Sequence, residues 1–398
     1  MNGLKKSPFR AKWHAVFSRT VLWATPENAR NMSLAQVTPI RPAKPQLPVS
    51  WYVDPAIYAL EQKVLFPHAP AYIGHELMVP NAGDYRTLEW MGHAKTLVRN
   101  TQGIELVSNI CRHRQALMLK GHGTTQNIVC PLHRWTYDLQ GDLMGAPHFS
   151  EKPCLTLDTT PLQNWNGLLF DSQRDIAKDL NKLGFIKDFD FSGFMLDRVM
   201  IDEYNFNWKT FIEVYLEDYH VAPFHPGLGN FVDCDDLKWE FGEWYSVQSV
   251  GINSALQKSG SPVYQHWQEQ VLKYGNGKLP KYGAIWMVYY PFLMIEWYPH
   301  VLVVSNIIPR GPNACTNVVE FYYPEDIALF ERAFIEAEQA AYMETAIEDE
   351  DICQRMHDGR LALFAQGKNE VGPYQHPMET GMEHFHLWTR AQIEPHLK

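Results

Sequence analysis

The sequence predicts an α+β chain in two parts: a small all-β domain, then a larger one in which an antiparallel sheet is accompanied by long helices. Three observations carry this reading. From about Ala71 to Ser172, short β-branched and aromatic runs (Thr96 to Val98, Ile104 to Val107, Asn127 to Val129, Leu168 to Phe170) are separated by glycine, asparagine and proline. Residues 239–323 alternate like antiparallel strands, above all Tyr282 to Tyr290, Leu293 to Tyr298, Val301 to Ile308 and Thr316 to Tyr322. After Pro324, apolar residues at Ile327, Phe330, Phe334, Ala337 and Ala341 recur at spacings of three and four. That is the mark of an amphipathic helix, which continues, straight or broken, into IEDEDICQRMHDG.

A chain of 398 residues is too long for one ordinary core. The domain plan is 1–49 as an extension and linker, 50–70 as an N-terminal helix, 71–175 as the small β domain and 176–398 as the larger one. Residues 1–31 are basic against an otherwise acidic chain but have no apolar stretch ahead of a small-residue cleavage site, so a disordered extension is expected. Pro39, Pro42, Pro45 and Pro48 mark an extended linker. Asp54 and Pro55 then supply the cap and first turn of a short helix to about Leu65. A net charge of −10 argues against a nucleic-acid-binding surface. The most apolar run, Ala284 to Ile295, holds only 12 residues, too few to cross a bilayer. Of the six cysteines, Cys154, Cys234, Cys315 and Cys353 are scattered without pair spacing, as expected of buried thiols in a reducing cytoplasm.

The chemistry is concentrated in Cys111 to Trp135, where a Cys-x-His pair (Cys111, His113) precedes a Cys-x-x-His pair (Cys130, His133) by 16 residues. Tetrahedral zinc accepts the same four ligands. A zinc finger, however, groups its cysteines on one turn and its histidines on a helix, whereas here each loop supplies one of each. Two such loops face to face give both sulfurs to one iron and both imidazoles to a second, the Rieske [2Fe-2S] arrangement. Gly121, Gly123 and Pro131 are expected to tighten the turns around the sulfurs.

A second constellation follows. Asn207 to His220 reads as a helix, ended by Pro223, Pro226 and Gly227. On that helix Glu217 and His220 share a face. His220 and His225 would diverge on one continuous helix and meet only if His225 lies beyond its end. Two histidines beside prolines are an ordinary loop in isolation, but behind a cluster motif they call for a carboxylate to complete a 2-His-1-carboxylate iron site. Among the acids of the C-terminal helix, Asp349 shares the inward face of Ala346, Cys353 and Met356, whereas Glu350 and Asp351 fall on other faces. Trp244, Trp267, Trp286 and Trp297 are read as core, with one or two lining a pocket.

Together these residues resemble the Rieske non-haem iron oxygenases, large (α) subunits of the aromatic-ring-hydroxylating family, whose motif runs C-x-H-R-G then C-P-x-H-G-W-x-Y-x-x-x-G. Cys111, His113, Arg114, Cys130, Pro131, His133, Trp135, Tyr137 and Gly141 match it. Gln115 and Arg134 replace glycines, which allows those turns a different backbone conformation. The family's E-D-x-x-I-C segment is matched by Glu348, Asp349, Ile352 and Cys353. The resemblance implies a small all-β Rieske domain and a helix-grip catalytic domain. It also implies a [2Fe-2S] cluster on Cys111, His113, Cys130 and His133 and a mononuclear Fe(II) on His220, His225 and Asp349.

Electrons from a separate reductase or ferredoxin would enter the cluster, whose potential lies roughly between −150 and +300 mV in such centres. No G-x-G-x-x-G fingerprint for a flavin or nicotinamide is present in this chain. The implied assembly is a homotrimer, with or without a small β subunit, in which Glu217 joins His220 to His133 of the adjacent chain. The implied reaction is O2-dependent hydroxylation or oxidative dealkylation of a small organic substrate, an aromatic compound foremost. Glutamate at 217 is similar to members that act on quaternary ammonium compounds, which leaves a mono-oxygenase or demethylase of that class open. A Rieske electron carrier without oxygenase activity is the remote alternative.

Overall fold

The computed structural model describes residues 46–253 and 256–397; the basic N-terminal extension and most of the proline-rich linker lie outside them. The chain divides into two compact units. One comprises the N-terminal segment to Pro67, Lys182–Phe189 and everything from Asp197 onward, and the other His68–Asn181 with Asp190–Leu196.

The smaller unit is built from short antiparallel strands, β1 (Tyr72–His75), β2 (Asp84–Thr87), β3 (Lys95–Arg99), β4 (Ile104–Ser108), β5 (His122–Thr124) and β6 (Ile128–Val129). These are followed by β7 (Thr136–Tyr137), β8 (Leu143–Gly145), β9 (Thr159–Pro161), β10 (Gln163–Trp165) and β11 (Leu168–Phe170). They form a five-stranded sheet in the order β5-β2-β3-β4-β9 and two three-stranded sheets, β6-β7-β8 and β1-β11-β10. Gly121 and Gly123 do not tighten a ligand turn as expected. They flank and enter β5, where Gly123 pairs with Tyr85 across the sheet.

The larger unit carries a seven-stranded antiparallel sheet. Its strands are β12 (Phe194–Tyr204), β13 (Val232–Phe241), β14 (Tyr245–Ile252), β15 (Ala284–Tyr289), β16 (Leu293–Tyr298), β17 (Val301–Gly311) and β18 (Ala314–Pro324), in the order β12-β18-β17-β16-β15-β14-β13. The helices used below are α1 (Ser50–Val53), α2 (Pro55–Val64), α3 (Ile176–Asp179), α4 (Trp208–Tyr215), α5 (Val221–Phe224), α6 (Leu228–Phe231), α7 (Pro262–Tyr274), α8 (Glu325–Phe330), α9 (Arg332–Ala365) and α10 (Thr380–Ile393). As predicted, Asp54 caps α2, accepting the Ala56 N–H at 2.8 Å.

The long C-terminal helix is broken. Glu331, whose backbone leaves the helical region (φ −117°, ψ 56°), separates α8 from α9, and Phe330 is 80% exposed, although its spacing had placed it on the apolar face. Phe334, Ala337 and Ala341 are buried as expected. Trp267 and Trp286 line the pocket described below, while Trp244 packs edge-on against Trp388.

Helix α4 is fixed by ionic contacts with no access to water. Lys209 Nζ lies 2.5 Å from Glu61 Oε1 on α2, both residues fully buried, and Trp208 Nε1 donates to the other Glu61 oxygen at 3.2 Å. Burial pulls the Lys209 ammonium downward in pKa and the Glu61 carboxylate opposes it. One turn further on, Glu213 accepts from Arg360 of α9 at 2.7 Å, from His386 of α10 at 2.6 Å and from the Tyr52 hydroxyl. Burial alone would raise the Glu213 carboxyl, but Arg360 and His386 outweigh it and hold the group at about 2. Because a buried ion left without its partner costs about 3–5 kcal/mol, Glu61→Ala should lower unfolding stability by that order. The double change Glu61→Leu with Lys209→Met should cost much less. Urea unfolding of both variants tests this, and equal losses would show that packing, not charge, dominates there.

Candidate functional site

The two cysteine-histidine loops are built alike. In the first, the Cys111 N–H donates to Ala116 O (2.9 Å) and the Gln115 N–H to Cys111 O (3.0 Å). In the second, the Cys130 N–H donates to Trp135 O (2.8 Å) and the Arg134 N–H to Cys130 O (3.1 Å). The second loop is the tip of the β6-β7 hairpin, and an antiparallel bridge between Ile110 and Leu117 closes the first. Gln115 (φ 55°) and Arg134 (φ 62°) adopt the left-handed conformation that glycine takes easily. The turns therefore keep a glycine-type backbone despite the substitutions, held there by the paired hydrogen bonds.

Cys111 and Cys130 are buried in an apolar cluster with Met118, Ile128, Trp135, Tyr137 and Leu143. The Tyr137 hydroxyl lies 3.7 Å from Cys111 Sγ and accepts the Arg112 N–H at 3.2 Å. The His113 and His133 rings stand 4.7 Å apart, with His113 stacked on Trp135. His113 Nδ1 is buried with no hydrogen-bond partner, which is costly for an imidazole nitrogen unless it binds a metal. Two buried thiols and two adjacent imidazoles, one with an orphaned nitrogen, fit a [2Fe-2S] centre.

The second site forms where α4 ends. The helix stops at Tyr215, five residues short of the predicted His220. Gln248 Nε2 takes the Tyr215 carbonyl (2.8 Å) and Met378 O takes the Asp218 N–H (3.2 Å), so tertiary partners replace the bonds that would continue it. Glu217 and His220 thus meet across a turn, not along a helix. Glu217 Oε1 accepts from His220 Nδ1 at 2.5 Å and Oε2 from the His220 N–H at 3.0 Å. The single turn α5 separates His220 from His225, whose rings lie 5.0 Å apart. From the middle of α9, Asp349 Oδ1 reaches 3.1 Å from His225 Nε2 and 3.5 Å from His220 Nε2. One ligand atom from each of the three residues lies within 4.8 Å of the others.

The outer nitrogens are held as well. Glu348 Oε2 stands 2.7 Å from His225 Nδ1, the counterpart of Glu217 at His220. Each ring therefore donates its Nδ1 proton to a carboxylate and turns Nε2 inward, the arrangement that orients metal-binding histidines. Burial would lower both imidazoles, but Glu217 lifts His220 to about 10 and Asp349 lifts His225 to about 8. The Asp349 carboxyl, which burial would raise, is driven well below its usual range by the two rings. The donor set fits Fe(II). Asp351, by contrast, pairs with Arg355 at 2.8 Å at the surface. The sequence reading matched Glu348 to the family segment but missed its contact with His225, although its place beside Asp349 was available as a signal.

A cavity opens beside the three residues, between α4, α9 and the sheet. Its wall is largely aromatic, including Tyr204, Phe211, Tyr264, Trp267, Trp286 and Tyr342. It also carries the carboxylates Asp202, Glu217, Asp218, Glu296, Glu338 and Asp349, and among the described residues no lysine or arginine lines it. Burial lifts Asp218 and Glu296 to about 7 and Glu338 to about 8. Among the described residues no helix is long and apolar enough to cross a membrane.

Residues 70–164 match the family described as Rieske [2Fe-2S] domain, and residues 185–395 match the ring hydroxylating alpha subunit (catalytic domain). The chain is 62% identical to putrescine 2-hydroxylase of Ralstonia nicotianae (strain ATCC BAA-1114 / GMI1000), over 89% of this chain and 97% of that protein. It is 53% identical to putrescine 2-hydroxylase of Bordetella bronchiseptica (strain ATCC BAA-588 / NCTC 13252 / RB50), over 90% and 86%. The fold is similar to that of a quaternary ammonium Rieske monooxygenase, with a TM-score of 0.68 at 18% identity over 88% of this chain and 95% of that one. The chain belongs to the Rieske non-haem iron oxygenases as a large (α) subunit, an oxidoreductase with a [2Fe-2S] cluster and a mononuclear iron site.

Proposed function

We propose that this chain is the oxygenase component of a mono-oxygenase that hydroxylates a small aliphatic amine, a diamine such as putrescine fitting best. One observation carries the reading: beyond Asp349 and Glu217, which pair with the imidazoles, the cavity is lined by the buried acids Asp218, Glu296 and Glu338, and among the described residues no lysine or arginine lines it. Buried carboxylates without cations are costly and call for positive charge from the ligand. The similarity to proteins named putrescine 2-hydroxylase supports the same substrate class. The expectation of an aromatic substrate gains no support from these relatives. An uncharged ring would bring no cation to Asp218, Glu296 and Glu338, and neither relative named above is described as acting on one.

In this reading Cys111, Cys130, His113 and His133 hold the cluster, and His220, His225 and Asp349 hold the iron. Bound there, Fe(II) supplies reductive activation of O2 with electrons relayed from the [2Fe-2S] centre. Glu217 and Glu348 hold both Nδ1 protons, so each ring turns Nε2 toward the ligand site, where a bound metal would take the place of its proton. The aromatic wall excludes water, and the carboxylates hold the ammonium groups so that a carbon of the chain between them faces the iron ligands. A separate reductase or ferredoxin delivers the electrons. Arg114 and Arg134, exposed beside the cluster loops, form no ion pair among the described residues and are free to receive an acidic donor. The chain works as a homotrimer, in which His133, exposed at its loop tip, meets Glu217 of the adjacent copy.

Three measurements test this. Oxygen uptake with a surrogate reductase should be stimulated by 1,4-diaminobutane and yield a hydroxylated amine, whereas aromatic acids should give neither uptake nor product; the opposite preference would sink the amine assignment. Asp349→Ala should leave the cluster spectrum unchanged and abolish mononuclear iron. Glu348→Gln should weaken iron binding about 10- to 100-fold, and Asp351→Ala should be mild. Loss of iron in Asp351→Ala but not in Asp349→Ala would put the ligand on the wrong side of the helix. Glu217→Gln should retain both metal centres and donor reduction but slow reoxidation of the cluster in single turnover, because an amide has one acceptor oxygen where the carboxylate uses two. Unchanged reoxidation would remove Glu217 from the electron path.

A further inference from the structure

Glu296 stands where the pattern of the sheet forbids a charge. Across the strands it belongs to the row Gln248, Trp286, Glu296, Val303, Phe321, each paired with the next in register. Every member of that row is buried, and Glu296 lies near its middle at 2% exposure. Among the described residues no lysine, arginine or histidine pairs with it; its partners are three hydroxyls. Tyr298 donates to Oε2 at 2.7 Å, and Ser305 and Tyr342 donate to Oε1 at 3.2 and 3.3 Å. Trp286 Nε1 in turn donates to the Tyr298 hydroxyl at 2.9 Å, polarising that bond. An ionised carboxylate offers about four acceptor sites, so three donors leave room for one more. Glu296, Trp286, Tyr298 and Tyr342 all line the cavity.

We propose that the Glu296 carboxylate, presented by the hydroxyls of Tyr298, Ser305 and Tyr342, anchors one ammonium group of the substrate and so determines the preference for amines. This rests on the amine reading above. It explains the conflict in the sheet, because a buried acid without a cation is stabilised when the ligand brings one. The groups facing it are Tyr215 from α4, Tyr298 from its own strand, Ser305 from β17, and Glu338, Tyr342 and Asp349 from α9.

The affinity has a pH signature with a definite sign. Burial lifts the Glu296 carboxyl to about 7, against the pull of the hydroxyl donors. A raised carboxyl is neutral below that value and charged above it, so amine binding should tighten as pH rises from 6 to 8.

The test is calorimetric binding of 1,4-diaminobutane to the anaerobic holoenzyme, with 1,4-butanediol as the uncharged comparison. Glu296→Gln keeps the shape and one acceptor; it should weaken the diamine about 10- to 100-fold, reduce its pH dependence to the share left by Asp218 and Glu338 and leave the diol unchanged. Cluster spectrum and iron content should match the parent. Tyr342→Phe gives an independent reading if the glutamine variant folds poorly. Losing one donor to the charged form pushes the carboxyl further up, so diamine binding should fall more at pH 6.5 than at pH 8.5, and equal loss at both counts against the anchor. If the parent does not bind the diamine, the amine reading itself fails. If the parent binds it and Glu296→Gln binds it equally well, the amine reading stands and the anchor is overturned.

Discussion

The buried ionic clasp between α4 and α9 is the constraint on which the mononuclear site depends. Arg360 of α9 donates to Thr210 Oγ1 at 2.8 Å and to Glu213 at 2.7 Å, both on α4. Asp349 lies three turns earlier on α9, and His220 and His225 follow directly from the end of α4. Locking the two helices together therefore sets the distance between the carboxylate and the imidazoles. A low-dielectric setting makes such a clasp stiff, because moving either ion away from its partner costs far more than at the surface. His386 and Tyr52 bring α10 and α1 to the same carboxylate, so four helices share one anchor.

From that anchor outward, charge is layered. Around the predicted iron ligands, every inward imidazole nitrogen has an outer carboxylate behind it, Glu217 for His220 and Glu348 for His225. Farther into the cavity, Glu296 and Glu338 are buried among tyrosine hydroxyls, and burial lifts both toward neutrality. One set of acids is held charged by imidazoles around the candidate iron site. The other is buried among hydroxyls, and the amine substrate proposed above would supply the cation it lacks.

The two cysteine-histidine loops show how a motif can tolerate substitution when the fold carries the cost. Left-handed backbone at Gln115 and Arg134 costs about 1–2 kcal/mol each. The same pair of hydrogen bonds closes both turns, and the surrounding short strands fix where each turn begins. The ligand spacing is preserved because tertiary structure, not the identity of those two residues, holds the turn.

The sequence by itself determined the class of fold and singled out the candidate ligands that the structure brings together. Cys111, His113, Cys130 and His133 were legible because the chemistry of two thiolates and two imidazoles imposes short, local spacings. Asp349 was legible because a regular helix preserves its phase from Ala346 to Cys353. The strands of the large sheet were legible because one buried face imposes a period of two. The end of α4 was decided only by the tertiary structure, since the partners that stop it, Gln248 and Met378, come from remote parts of the chain. The break at Glu331, and with it the exposure of Phe330, also escaped the pattern, because periodicity assumes a straight axis. So did Glu348 as the partner of His225 and Glu296 within the cavity wall. Each is a carboxylate whose meaning lies in what faces it across 50 residues or more or across a sheet, and no local spacing encodes that.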